Sequence, residues 1–385
     1  DFEFPDGFHW GTGTAAYQNE GNNTNAQWYH FEQSRITEEG NHAGKACGWW
    51  EDPTPDFDLA ASLGHNSMRI SLSWDRIEPE QGVFDDAALE RYCGMIDALT
   101  ERGIEPVITL HHFNHPQWFE KLGGFEHNDC PELFTCYTEH VLDRLGDRCR
   151  VWITINEPNI VAAMGYFTGE HPPARQADIR GVFRVTRNMA RCHAAAYRAI
   201  HAARSDSLVS FTNHFLFLRP ERKYSLIDRL VVRVISGLLN DSFTRLVVDA
   251  KLPFLRRKLR KSLKGVAGTW DFLGINIYGR FNVRFSLREV NRGFMQMNTP
   301  SDTPTGDLDP NGRNIYGECY PQGIRAVVDR YRCHGKPFYV METGVQDRGD
   351  LVRPWVLAQG VLTVAALLAE GVPILGYHHW TLVDN

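Results

Sequence analysis

The chain has 385 residues, 43% hydrophobic and 23% charged, the balance of a globular protein and neither a disordered nor a collagen-like one. Its 41 Lys and Arg against 47 Asp and Glu leave a formal charge of −6, spread along the chain, which argues against nucleic-acid binding as its main work. Length alone suggests two domains or more, yet α/β barrels exceed the usual domain size as single units.

In chain order, short β-rich runs alternate with longer amphipathic segments. Strands are expected at Phe8–Thr12, Ser67–Leu72, Glu105–Leu110, Val151–Ile155, Leu208–Thr212, Asp271–Ile275, Pro337–Met341 and Pro373–His379. Several are near-continuous apolar runs, as strands buried on both faces require. Helical patterns lie at Asp86–Arg102, Pro131–Leu145, Gly181–Ala203, Leu226–Ala250, Pro321–Arg332 and Pro354–Ala369. Gly103 stops one helix before a strand, and Gly371-Val372-Pro373 separates another from the last strand.

Eight strands with helices between them predict an α/β fold, a (β/α)8 TIM barrel spanning residues 1–385 as one domain. A dinucleotide-binding sheet would need GxGxxG after the first strand, but Gly11-Thr12-Gly13 is followed by Thr14-Ala15-Ala16. Residues 298–314, rich in Asn, Asp, Thr, Pro and Gly, read as a long surface loop. Pro354–Ala369 carries no charge but falls short of the ~20 apolar residues of a membrane span, so it reads as a buried helix. No signal-peptide pattern precedes Phe4, although the chain opens at Asp1 and a removed leader stays open. The eight Cys show no CxxC pair and no metal-ligand spacing; free buried thiols in a reducing compartment, and so a cytoplasmic location, are expected.

Barrel enzymes gather their reactive residues at the C-terminal ends of the strands. The polar and aromatic residues of this chain fall at those ends. Gln18 follows the first strand, Arg69 lies in the second, and His111 and His112 follow the third. Asn156-Glu157-Pro158 follows the fourth, Asn276 and Tyr278 the sixth, Glu342 the seventh, and His378, His379 and Trp380 the eighth. Carboxylates at ends four and seven suit glycosidic cleavage, in which one carboxyl protonates the leaving oxygen and the other acts at the anomeric carbon. A shared pocket drives two such pKa values apart.

Arg69 favours the ionised form of whichever Glu it touches. The uncharged neighbour Asn156 suits Glu157 as proton donor, which leaves Glu342 as nucleophile. Sugars present flat apolar faces rimmed by hydroxyls, so Trp118 is expected near the pocket mouth and Trp380 on its floor. His111 and His112, as strand neighbours, point to opposite faces and do not chelate one ion. No metal and no organic cofactor is required. His65, His127, His193, His201 and His214 read as structural histidines.

The motifs Phe8–Gly21 (FHWGTGTAAYQNEG), Met68–Ile77 (MRISLSWDRI), Thr109–Gln117 (TLHHFNHPQ), Trp152–Pro158 (WITINEP), Asp271–Tyr278 (DFLGINIY), Pro337–Gly344 (PFYVMETG) and Gly376–Asn385 (GYHHWTLVDN) stand in order along the chain. With them the chain resembles glycoside hydrolase family 1, the retaining β-glycosidases, over nearly its whole length. The resemblance implies an exo-acting enzyme that releases terminal glucose, galactose or fucose from a small glycoside by double displacement. It makes Glu157 the acid/base and Glu342 the nucleophile. Asn156 then holds the sugar 2-hydroxyl, Gln18 and His112 bind other glycone hydroxyls, and Arg69 and Tyr278 orient the nucleophile, with Asn276 in the substrate-binding set.

Departures from the family pattern are specific. Met341-Glu342-Thr343-Gly344 stands for the usual Thr-Glu-Asn-Gly, Phe113 for a Trp and Ile277 for a Tyr. The family continues Phe-Glu-Trp after the position of Asn385 and then forms the final barrel helix. Either the sequence is an incomplete chain lacking that helix, the favoured reading because Trp380–Asn385 keeps the family pattern, or glycone binding and closure of the barrel are compromised. Trp380–Asn385 is similar to the branch acting on non-phosphorylated sugars.

Lys223–Lys264 departs most from a barrel enzyme. Leu226, Ile227, Leu230, Val231, Val234, Ile235 and Leu238 precede Arg256, Arg257, Lys258, Arg260, Lys261 and Lys264. The expectation is a helix with a packed apolar face and a solvated basic one; the alternative is a weak membrane-surface contact. Phe215–Pro220, Asp271–Gly279 and Gly344–Pro354 look similar to the plant galactolipid-remodelling galactosyltransferase. That makes transfer of the sugar to a lipid or sugar alcohol the alternative to hydrolysis. A non-catalytic sugar-binding relative is the alternative of another class, opposed by the presence of both Glu157 and Glu342.

Overall fold

A computed structural model describes residues 2–34, 42–249, 263–289, 293–299, 304–308 and 314–384. Its parallel strands are β1 (His9–Gly13), β2 (Ser67–Ser71), β3 (Glu105–His111), β4 (Val151–Ile155), β5 (Leu208–Ser210), β6 (Thr212–His214), β8 (Leu273–Asn276), β12 (Phe338–Glu342) and β13 (Ile374–His379). The remaining strands are β7 (Phe217–Pro220), β9 (Gly279–Phe285), β10 (Met295–Asn298) and β11 (Glu318–Cys319).

The parallel sheet runs β5-β4-β3-β2-β1-β13-β12-β8-β6. Its two ends are the halves of one strand, broken at Phe211: β5 pairs with β4, and β6 pairs with β8. Counted together they make the eighth stave, and the ring is the expected (β/α)8 barrel. Gly274 permits the close approach at the break, because a Cβ there would lie 2.6 Å from the Phe211 carbonyl oxygen.

The near-continuous apolar runs are explained by two separate cores. Val107, Val151, Ile153, Phe272, Tyr339 and Met341 form a cluster of their own, while the alternate residues Ile108, Trp152, Phe338 and Val340 join the larger core that holds the helices. Helices occur where expected, at Asp86–Glu101, Cys130–Leu145, Ile179–Ala203, Gly323–Tyr331 and Arg353–Ala369. The last buries Val356, Val364 and Leu367 but exposes Leu357 and Leu362, so it is buried on one face only.

Three expectations are corrected. The long helix Leu226–Ala250 is two helices, Leu226–Leu239 and Ser242–Asp249. The break falls at Asn240, whose backbone N–H closes the first helix on the Ser236 carbonyl while its side chain bonds the Leu216 backbone in both directions, at 3.0 and 2.8 Å. Second, the apolar side of Leu226–Leu239 is not packed: Val231 and Ile235 are half-buried, but Leu226, Ile227, Leu230, Val234 and Leu238 are exposed. The basic run 256–261 lies outside the described residues.

Third, a four-stranded sheet at the C-terminal end of the barrel went unread in the sequence. β9 pairs antiparallel with β10 and β11 and parallel with β7. Asn298 ends β10 and Thr305 bridges to Glu318, so part of the expected surface loop belongs to this sheet. All eight Cys are free, but Cys136 and Cys333 are exposed and Cys47 is half-buried, so only five are the buried thiols expected. Among the described residues, no helix is long and apolar enough to cross a membrane.

Candidate active site

The site is built around one guanidinium. Arg69, the central residue of β2, is fully buried (0% exposed). Its Nε donates to Thr109 Oγ1 (2.9 Å), its Nη1 to Glu342 Oε1 (2.5 Å) and its Nη2 to Asn156 Oδ1 (2.6 Å). A buried charge is tolerable only with partners of this kind. Asn156 Oδ1 also accepts from Thr212 Oγ1 (2.6 Å) and Asn276 Nδ2 (3.2 Å), and Asn276 Nδ2 reaches Glu157 Oε1 at 2.7 Å. The Tyr278 hydroxyl donates to Glu342 Oε2 at 2.7 Å. Residues from six strands of the barrel and the loops that follow them thus form one connected network with a carboxylate at each end.

Local backbone sets the aim of both acids. Glu342 is the last residue of β12. Glu157 stands two residues past β4 and adopts a left-handed conformation (φ 44°, ψ 56°), with Pro158 opening the next helix. A non-glycine residue held there stores strain, and its Oε2 carries no hydrogen bond among the described residues.

His214 was read as structural, and the structure corrects this. It ends β6, and its Nδ1 donates to Glu157 Oε1 at 3.2 Å while its ring stacks on Tyr278. The strand-end rule finds it once the fifth strand is carried past Thr212, the one end left empty in the sequence reading. Tyr316, 4.8 Å from the Tyr278 ring, is a second residue that sequence reasoning missed; it lies in a loop before β11 with no periodic signal.

The charges in this cavity are interdependent. Burial would raise Glu157, but the His214 charge and hydrogen bond, then Asn276 and Arg69, hold its carboxyl below the ordinary value. Burial would lower His214, but Glu157, with Glu342 behind it, raises it. Burial pushes Glu342 up to about 7, helped by the facing charge of Glu157 and opposed by Arg69 and Tyr278. Within the Glu157–His214 pair the proton is therefore favoured on the histidine. Its transfer to Glu157 neutralises both members of the pair, removing the repulsion of Glu342 by the Glu157 anion together with the weaker attraction of the imidazolium.

The other expected residues divide. His112 is buried and held neutral, its pKa lowered by burial and by Arg69 and His111. Its ring lies 5.6 Å from that of Trp380. Trp380 is half-buried against Gly13, with its backbone N–H on the Thr343 carbonyl. Three buried polar atoms here, His112 Nδ1, Asn156 Nδ2 and Asn276 Oδ1, have no protein partner among the described residues, which suits them to hydroxyl groups.

Gln18 lies beyond β1 and is exposed. Trp118 is not brought to the pocket. Its indole N–H bonds the Glu78 carbonyl (2.9 Å) and its ring packs edge-on against Trp74, because the helix Gln117–Lys121 turns it toward the outer core. His111 turns away to His115, and His378 bonds Ser67 and Tyr339 deeper in the barrel. A separate polar cleft of about 450 Å³, lined by Asn23, Asn25, Asp75 and Arg76 among others, shares no residue with the network.

A closed ring of parallel strands with two networked carboxylates at its C-terminal rim defines a barrel-borne glycosidase. The chain belongs to glycosyl hydrolase family 1, whose description it matches over residues 1–385. It is accordingly an O-glycoside hydrolase of the retaining β-glycosidase type. It is similar to the 1,4-β-D-glucan glucohydrolase of Thermotoga neapolitana, 27% identical over 100% of this chain and 94% of that one. It is similar also to the galactolipid galactosyltransferase SFR2 of Arabidopsis thaliana, 29% identical over 89% of this chain and 53% of that one. Among solved structures, the family 1 β-glucosidase of Thermotoga maritima superposes with a TM-score of 0.90 at 26% identity, covering 100% of this chain and 90% of that one. That enzyme is also known in complex with castanospermine.

Proposed function

We propose that the protein is a β-glucosidase-like exo-glycosidase acting on small glycosides, with Glu342 as nucleophile and Glu157 as acid/base. In the first step a Glu342 oxygen attacks the anomeric carbon while Glu157, loaded from His214, gives its proton to the leaving oxygen as that bond breaks. In the second, Glu157 takes a proton from water, whose oxygen displaces Glu342 from the sugar. The observation that carries this reading is the Arg69 bridge. It fixes Glu342 and Asn156 from one guanidinium, gives Glu342 a permanent counter-charge, and leaves Glu157 Oε2 uncommitted for the leaving oxygen. Asn156 Nδ2 is the buried donor for the sugar 2-hydroxyl. A panel of nitrophenyl β-glycosides, with Glu342→Ala as control, tests it: equal turnover by the two proteins contradicts the role given to Glu342.

A second reading, transfer of the sugar to a lipid or sugar alcohol, is supported by the galactolipid galactosyltransferase among the relatives. The first step is unchanged, and an alcohol replaces water in the second. Product analysis with and without added sugar or lipid alcohol separates the two readings: new glycosides favour transfer, free sugar alone favours hydrolysis.

A further inference from the structure

The rim of the barrel beside the carboxylates carries an apolar surface that the glycosidase chemistry does not use. Along the helix Leu226–Leu239, the exposed side chains Leu226 (79% exposed), Leu230 (59%), Val234 and Leu238 recur every four residues, so they form one stripe, with Ile227 beside it. Tyr224 (85% exposed) precedes the helix, and Leu287 (72%), just after β9, and Phe294, just before β10, extend the surface. These pieces are physically joined. Asp228 accepts from the Phe285 backbone N–H at 3.0 Å, and a Cβ on Gly293 would lie 3.2 Å from Ile235 and 3.5 Å from Phe167.

Phe167 belongs to the segment that leads out of Glu157, and β7 and β9 emerge from the same strand ends as His214 and Tyr278. The apolar surface therefore lies on the same rim as the carboxylates. Its charge is predominantly basic, with Glu221 and Glu289 the acids at its edge. Lys223, Arg229, Arg233, Arg284 and Arg288 are all exposed around the stripe, and none has an ion pair among the described residues. The one acid of the helix, Asp228, is buried and spent on Arg222. A protein with a net charge of −6 thus presents a local cationic border around exposed leucines.

From this combination we propose that the rim formed by Leu226–Leu239 with Leu287 and Phe294 docks on the surface of an anionic lipid bilayer. The helix lies in the plane of the interface with its leucines in the headgroup region, and the pocket opens alongside. Apolar residues in a line with arginines beside them are what an interfacial helix needs: area to bury and charge complementary to acidic headgroups. The claim stands apart from the identity of the cleaved sugar.

The test is co-sedimentation of the chain with vesicles of phosphatidylcholine alone or mixed with phosphatidylglycerol, at low and high salt. The wild type is expected to pellet with the mixed vesicles, less with phosphatidylcholine, and less at high salt. Leu226→Ser/Leu230→Ser/Val234→Ser and, separately, Arg229→Glu/Arg233→Glu are each expected to lower the bound fraction about tenfold, with turnover of a soluble aryl β-glycoside unchanged. Wild type that stays in the supernatant overturns the proposal. So does equal pelleting by the variants, or a wild-type dimer in solution that the triple substitution dissociates, since a second copy would then be what covers the face. Loss of glycoside turnover in the wild type would strike the catalytic assignment and leave the docking result standing.

Discussion

At the scale of the residue, three side chains share the protons of the site. The working state holds one proton among Glu157, His214 and Glu342, with Glu342 ionised. As pH falls through about 7, Glu342 becomes protonated in the empty site, which sets the acid limb of kcat/KM. The alkaline limb is loss of the proton from the Glu157–His214 pair, whose His is raised by its carboxylate neighbours. His214 is the raised member of that pair, and an Asn in its place leaves only the Glu157 carboxyl to carry the proton. His214→Asn is therefore expected to move the alkaline limb to lower pH and narrow the profile, as a pH series on an aryl glycoside would register; an unmoved limb contradicts the proton-holding role. Glu157→Gln should lower kcat by ~10²–10⁴ for a poor leaving group and far less for an activated phenol, which needs little protonation. Arg69→Ala leaves Glu342 buried without its counter-charge, and urea unfolding is expected to show a loss of about 3–5 kcal/mol.

At the scale of the element, the helix Leu226–Leu239 is pinned by its Asp228. That carboxylate accepts from Arg222 and from the Phe285 backbone, and the Arg222 hydrogen bonds hold it well below the ordinary carboxylate range. A depressed carboxyl stabilises above its unfolded value and loses that contribution as pH falls through the folded one. Asp228→Ala should speed amide exchange in Leu226–Leu239 by roughly 10–100-fold, about 1–3 kcal/mol of local stability, with little change in the barrel strands. The contrast with the barrel explains what the sequence made legible. Strands such as Val151–Ile155, apolar on both faces, announce themselves by composition, and the polar residues that interrupt such runs at their ends mark the site. β9, by contrast, alternates Arg280, Asn282 and Arg284 with apolar residues as a half-exposed strand, and β11 is two residues long. His214 was hidden because the fifth strand breaks at Phe211. Trp118 misled because an aromatic near a glycone histidine in sequence is turned outward by its own short helix.

At the scale of the whole molecule, the two acids lie 185 positions apart in sequence (342 − 157) and meet only because the ring closes through the split strand β5–β6. A retaining barrel places its carboxyl groups ~5–5.5 Å apart, against ~6.5–9.5 Å for an inverting one. Proton NMR of the first-formed sugar is accordingly expected to show the β-anomer before mutarotation; the α-anomer would mean inversion. The most direct measurement goes one step further back, to the bond itself. Incubation with a 2-deoxy-2-fluoro β-glucoside bearing a good leaving group, followed by peptide mass spectrometry, should find one fluorosugar attached to the carboxylate of Glu342. A sugar on Glu157, or release of the leaving group with no adduct on either acid, would contradict the account.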